Sequence, residues 1–290
     1  MIVLIIGIRG HMSETRVQLI ERLKKIAHRM RVHILNMTYW ANSGHPGGSM
    51  SATDIVATLY FHQMKHDPQN PKWADRDRFV LSKGHCTPVL YAALAEAGYI
   101  PVEELKTFRQ VNSRLQGHPN LLKCPGVEAS TGTLGQGLSM AVGMALAAKL
   151  DQKPWRVYCM LGDGESQEGQ IWEAAMSAAH YKLDNLVAIL DWNKFQIDGA
   201  VENVMNIMPM LDKFKAFGWN VAEIDGHDYN QILDVLEKAE SSGQRPFFIQ
   251  ANTSKGKGVS FTQDKGDYHG RALTKEEMQR AMTELGEKFG

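Results

Sequence analysis

The chain predicts an α/β fold, a single domain built on a parallel sheet flanked by helices on both faces. Three observations carry this. Strand-like runs at 157–161 and 186–190 enclose a helical stretch at 169–181, which makes a βαβ unit. Further strand-like runs at 78–81, 219–224 and 246–251 alternate with helical segments. Polar, glycine-bearing loops follow the ends of these runs, the edge at which open parallel sheets bind ligands.

In order, Leu, Ile, Val and Met recur at helical spacing from residue 13 to about 41, with Ser13 as the expected cap. Asn42-Ser43-Gly44-His45-Pro46-Gly47-Gly48 reads as a loop, and 51–63 as a second helix. A Pro- and Asp-rich loop at 67–77 leads into the strand at 78–81, then Ser82-Lys83-Gly84-His85. Helices are expected at 88–97 and 102–109, followed by irregular chain at 117–129. Ser130 to Gly137 opens a helix running to Leu150, whose Gly143, Ala145 and Ala148 permit close packing. Beyond the central unit, a helix at 229–241 joins two strands. A glycine-rich loop at 253–270 and a charged helix at 273–289 close the chain.

The composition is 43% hydrophobic and 22% charged over 290 residues, within the ordinary soluble range. Thirty-two basic and 32 acidic side chains balance, which argues against a nucleic-acid scaffold. Cys86, Cys124 and Cys159 are odd in number and show no zinc spacing, so reduced thiols in a cytoplasm are expected. The apolar start at 1–8 is too short to span a membrane. Gly10-His11-Met12 reads as a junction, with 1–11 as a tag or unstructured leader and 12–290 as the domain.

The chemistry is expected at Gly162-Asp163-Gly164 and, about thirty residues on, at Asp191-Trp192-Asn193. Both blocks end strands of one βαβ unit, so a carboxylate and an amide oxygen converge on the same sheet edge. That pair suits a hard octahedral cation such as magnesium, which is usually bound by few protein ligands together with phosphates. The neighbouring glycines let backbone N–H groups approach a phosphate near a helix N-terminus.

The pattern resembles the thiamine diphosphate signature in its transketolase form. Other stretches each resemble a motif of that family, in the family's order. They are Ser43-Gly44-His45-Pro46-Gly47, Ser82-Lys83-Gly84-His85, Gly117-His118-Pro119, Thr131-Gly132-Thr133-Leu134-Gly135-Gln136-Gly137 and Tyr268-His269-Gly270. The resemblance implies that Asp163, Asn193 and the Phe195 carbonyl hold magnesium. It implies that Gly164, His85 and His269 contact the diphosphate, and that Gly132, Thr133 and Leu134 line the rest of the cofactor. His45, His118 and His269 would face the sugar, and Glu168 would join a carboxylate network at the subunit interface; a helix-dipole role for Glu168 is an equal alternative. The other seven histidines carry no assignment.

Nothing here resembles the family's pyrimidine-binding domain, which brings the glutamate that activates the cofactor. The expectation is therefore the amino-terminal subunit of a split transketolase. It would work with a carboxyl-terminal partner subunit, as a heterotetramer of two copies of each. Thr133 stands where many relatives have proline, and the approach Asp264-Lys265-Gly266-Asp267-Tyr268 to His269 also departs from the family pattern; the second departure leaves the sugar open. Two other readings stand beside it: the alpha subunit of a 2-oxo-acid dehydrogenase, and a catalytically silent cofactor-binding partner.

Overall fold

The computed structural model describes residues 14–241 and 243–289. Five parallel strands form the main sheet: β1 (Arg78–Leu81), β2 (Val157–Gly162), β3 (Leu186–Trp192), β6 (Asn220–Asp225) and β7 (Phe247–Asn252). Their order is β1-β2-β3-β7-β6, and a small hairpin, β4 (Phe195–Gln196) with β5 (Gly199–Ala200), stands apart. Gly162 lies in register with Asp191, and Trp192 with Asn252, so the ends of β2, β3 and β7 form one edge.

Alternation along the strands sorts side chains into two cores. Phe79, Tyr158, Met160, Val187, Ile189, Phe247 and Ile249 face α1 (Arg16–Trp40), α2 (Pro46–Thr58), α3 (Thr87–Ala97), α8 (Tyr229–Glu240) and α9 (Lys275–Glu284). Val80, Val157, Cys159, Leu161, Ala188, Leu190 and Phe248 face α4 (Gln136–Leu150), α5 (Gly169–His180) and α7 (Met210–Ala216). The two-sided cover explains why β2 and β3 are buried along their whole length and, Asp191 aside, without charge. No described helix is long and apolar enough to cross a membrane.

Several expectations shift. Thr15 caps α1 through a capping box with Gln18, the Thr-x-x-Gln arrangement that satisfies two terminal N–H groups at once. Ser13 and the proposed leader at 1–11 lie outside the described residues. Pro46, Gly47 and Gly48 are the first turn of α2, not a loop. Proline suits the first helical position, and the glycines answer to crowding: a Cβ at Gly47 would lie 2.8 Å from the Tyr268 carbonyl, one at Gly48 2.8 Å from Cys86 Sγ. That helix gives way to a wide turn at Leu59–Gln63. The segment Val102–Thr107 is a 3₁₀ turn, and α4 starts only at Gln136, after Gly135 at a φ of +82°. The hairpin, the short α6 (Val201–Val204) and α7 occupy a stretch for which no element was expected.

Candidate active site at the carboxyl edge of the sheet

Every strand of the main sheet delivers polar groups at its carboxyl end: Ser82 and Lys83 after β1, Asp163 after β2, Asn193 after β3, His227 after β6, and Thr253 with Lys255 after β7. Asp163 accepts from its neighbour Gly164 N (2.8 Å) and, across the βαβ unit, from Lys194 N (2.7 Å). That second bond ties the two expected blocks together. Asn193 Oδ1 accepts from Phe195 N (3.2 Å), while its amide nitrogen donates to Asp191 Oδ2 (2.9 Å). Asp191 thereby fixes which way round the Asn193 amide lies.

Asp191 is fully buried and takes hydrogen bonds from Lys83, Ser51 (2.6 Å) and Thr253 as well. Burial opposes the charge on both members of the Lys83–Asp191 pair, yet their mutual attraction holds Lys83 above and Asp191 below the usual range. Burial pushes the Asp163 carboxyl up to about 6, against the pull of Lys255.

Three of the expected histidines gather into one cluster. The ring centroids of His45 and His85 are 4.9 Å apart, those of His45 and His269 5.4 Å, and those of His85 and His269 5.3 Å. Desolvation, then Arg109 and His118, hold His45 down at about 4; desolvation, then Lys255, hold His269 at about 3. His85 is lowered well below its usual value for the same first reason. All three rings are neutral at pH 7. His45 Nδ1 is buried without a partner among the described residues, a polar atom available to a ligand.

His118 sits against the Gly132 backbone, where a Cβ would come within 2.8 Å of its ring. It also lines a polar cavity of about 710 Å³ with Ser43, Arg109 and Lys123. Gly132 has a φ of +147°, Thr133 is exposed and Leu134 half-buried, leaving this turn open beside His118. Gly164 packs over Gln196, with room for a Cβ only 3.1 Å from that side chain. Glu168 is exposed at the start of α5 and makes no capping bond.

Three residues central to this geometry were given no role by the sequence. Lys255, 1% exposed, donates to the Phe195 carbonyl and to His269 Nδ1, both at 2.9 Å. With Nδ1 accepting, the proton of the neutral His269 ring sits on Nε2. Asp191 orients Asn193 as described. Glu165 is buried and accepts from Ser82 Oγ (2.5 Å), Gly162 N (2.9 Å) and Gly135 N (3.0 Å), joining three segments at one carboxylate. The one available signal was position: Lys255 and Glu165 lie just past the ends of β7 and β2, and Asp191 is the penultimate residue of β3.

An acid, an amide and a clustered set of neutral imidazoles thus meet at the carboxyl edge of an open parallel sheet, the edge at which such α/β domains bind ligands. The chain belongs to the transketolase family: the sequence model for "Transketolase, thiamine diphosphate binding domain" matches residues 22–289. It is 49% identical over 247 residues to a 6-deoxy-6-sulfo-D-fructose transketolase subunit of Clostridium sp. strain MSTE9, covering 85% of this chain and 90% of that one. It is 41% identical to an apulose-4-phosphate transketolase subunit of Phocaeicola vulgatus, covering 93% and 96%. Human transketolase is 42% identical over 92% of this chain but only 42% of its own length. Among solved structures, transketolase from Campylobacter jejuni superposes with a TM-score of 0.88 at 39% identity, over 92% of this chain and 43% of that one.

Proposed function

We propose that the chain is the amino-terminal subunit of a two-chain transketolase. It moves a two-carbon ketol unit from a ketose to an aldose with thiamine diphosphate and magnesium. The observation that carries this reading is the meeting of Asp163, Asn193 and the Phe195 carbonyl at one sheet edge beside the His45–His85–His269 cluster. The comparisons support it at the level of family. The near-complete coverage of two relatives named as subunits supports the split design.

The residues present fit the cofactor. Asp163, Asn193 and the Phe195 carbonyl offer only oxygen donors, as a magnesium ion requires. Lys255, already on the Phe195 carbonyl, adds the positive charge that a diphosphate needs, and Gly164 and His85 supply close approach and hydrogen bonds. When bound, thiamine diphosphate supplies a nucleophilic carbon and a sink for the electrons of the broken carbon–carbon bond. His45, His118 and His269 then hold the sugar hydroxyls next to the reacting carbonyl. A hydroxyl proton passes to a neutral imidazole as the bond breaks, and returns when the acceptor aldehyde takes up the fragment. Desolvation, then Lys255, hold His269 down, and an anion seated beside Lys255 offsets the second of these.

The partner subunit brings the pyrimidine-binding domain, in a heterotetramer of two copies each, in the cytoplasm. The donor is a sugar or sugar phosphate, and the sulfonated and branched sugars in the relatives' names are the first to try. A 2-oxo-acid dehydrogenase role would have left the sugar-facing histidines without a task. The test is calorimetry on the chain with its partner, titrating thiamine diphosphate with and without magnesium, followed by assay with a ketose and an aldose. Magnesium-dependent uptake and ketol transfer only with both chains are expected; uptake without metal, or turnover by this chain alone, overturns the proposal.

A further inference from the structure

Lys255 is held at the site by a cluster that lies behind it. His227, at the end of β6, accepts from Ser254 N through Nε2 (2.9 Å), so its proton is on Nδ1 and donates to Asp54 Oδ2 (2.8 Å). Asp54, buried in α2, is gripped by both terminal nitrogens of Arg31 (2.9 and 2.6 Å) and by the Tyr229 hydroxyl (2.7 Å). The same Arg31 donates through Nε to the Lys257 carbonyl (3.0 Å), and Gly256 N donates to the Gly47 carbonyl (3.0 Å). The residue before Lys255 and the two after it are thus each tied to α1, α2 or the β6–α8 turn, elements distant in sequence.

We infer that Asp54 and His227, with Arg31, are positioning residues that set where the Lys255 ammonium lies against Phe195 and His269, and so set the affinity for the cofactor's diphosphate. This rests on the transketolase reading above. The bonds given to His227 and Asp54 run to Ser254, Arg31 and Tyr229, so the network acts through the backbone around Lys255. A buried lysine on a four-carbon stem has ample freedom to miss a target, and fixing its backbone on both sides removes that freedom. Full satisfaction of the Asp54 carboxylate by two donors of Arg31, one of His227 and one of Tyr229 makes the anchor rigid.

Two substitutions separate positioning from plain stability. His227→Asn keeps a donor to Asp54 but loses the acceptor for Ser254 N–H. His227→Gln keeps that acceptor but loses the donor. Each removes one hydrogen bond, and because the one lost in His227→Gln reaches a buried carboxylate, that variant lowers the unfolding midpoint at least as much as His227→Asn. With the chain and its partner together, magnesium-dependent thiamine diphosphate affinity should fall tenfold or more in His227→Asn. It should stay within about threefold of the parent in His227→Gln, with Lys255→Met marking complete loss. Amide hydrogen exchange on the cofactor-free protein should rise at 254–257 in His227→Asn only. Equal affinity and equal exchange in the two variants, or losses that only follow the unfolding midpoint, would overturn the inference. If the parent takes up no thiamine diphosphate, the functional reading fails, while the exchange comparison still decides the positioning role.

Discussion

Lys83 and Asp191 form an ion pair beneath the candidate metal site, with side chains 2% and 0% exposed. Asp191 in turn holds the Asn193 amide, so the pair is the footing on which a proposed metal ligand stands. Removing one charge strands the other in the interior.

Lys83→Met should therefore destabilise the chain by about 3–5 kcal/mol in urea denaturation. Asp191→Asn added to that variant should recover part of the loss, because no unpaired carboxylate remains. A single variant as stable as the parent would show that the pair adds nothing.

The histidine cluster makes stability depend on acid. His45 titrates near 4 and His269 near 3 in the folded chain, against 6.5 for a free imidazole. Below 6.5 the unfolded chain therefore binds more protons than the folded one. The contribution is fully present above pH 6.5 and is lost as pH falls toward 4. His45→Gln should narrow the gap between urea midpoints at pH 7 and pH 5. The slope changes by at most about 1.4 kcal/mol per pH unit for one proton, and by less where solvent screens the ring.

His118 touches the open Gly132 turn and lines the polar cavity with Ser43, Arg109 and Lys123. In the two-chain complex, His118→Ala should lower turnover by roughly 10²–10⁴-fold and leave thiamine diphosphate affinity unchanged. Unchanged turnover would favour the silent-partner reading, and lost cofactor affinity would place His118 on the cofactor.

Gly132→Ala tests the same ring from its other side. A Cβ there meets His118 Cδ2 at 2.8 Å, in a backbone conformation with φ +147° that side chains rarely adopt. A displacement of about 1 Å at a proton-handling group should cost on the order of 10²-fold in turnover, with little change in magnesium-dependent uptake. Turnover at the parent's level would mean that the turn yields and His118 stays in place.

Much of this was legible in the residues. The strand-ending blocks around Asp163 and Asn193 stand out because spacing, glycines and a helical insert all point to one sheet edge. Lys255 does not, since a lysine in a polar loop looks like a solvated charge until the loop is seen folded under the sheet edge. Glu165 and Glu168 are equally acidic and three residues apart, yet the 3₁₀ turn Gly164–Gln167 aims the first inward and leaves the second outside. Gly47 and Gly48 carry the mark of a loop when read locally. Only the nearness of Tyr268 and Cys86, far along the chain, explains glycine inside a helix there.

The shared carboxylate of Glu165 has a consequence for anyone who would redesign the 131–137 turn. Because Ser82, Gly135 and Gly162 all lean on it, the 131–137 turn is not a module that can be transplanted alone. A chimera that imports this turn from a relative must bring the Ser82 and Glu165 counterparts with it, or the graft arrives with its hinge missing.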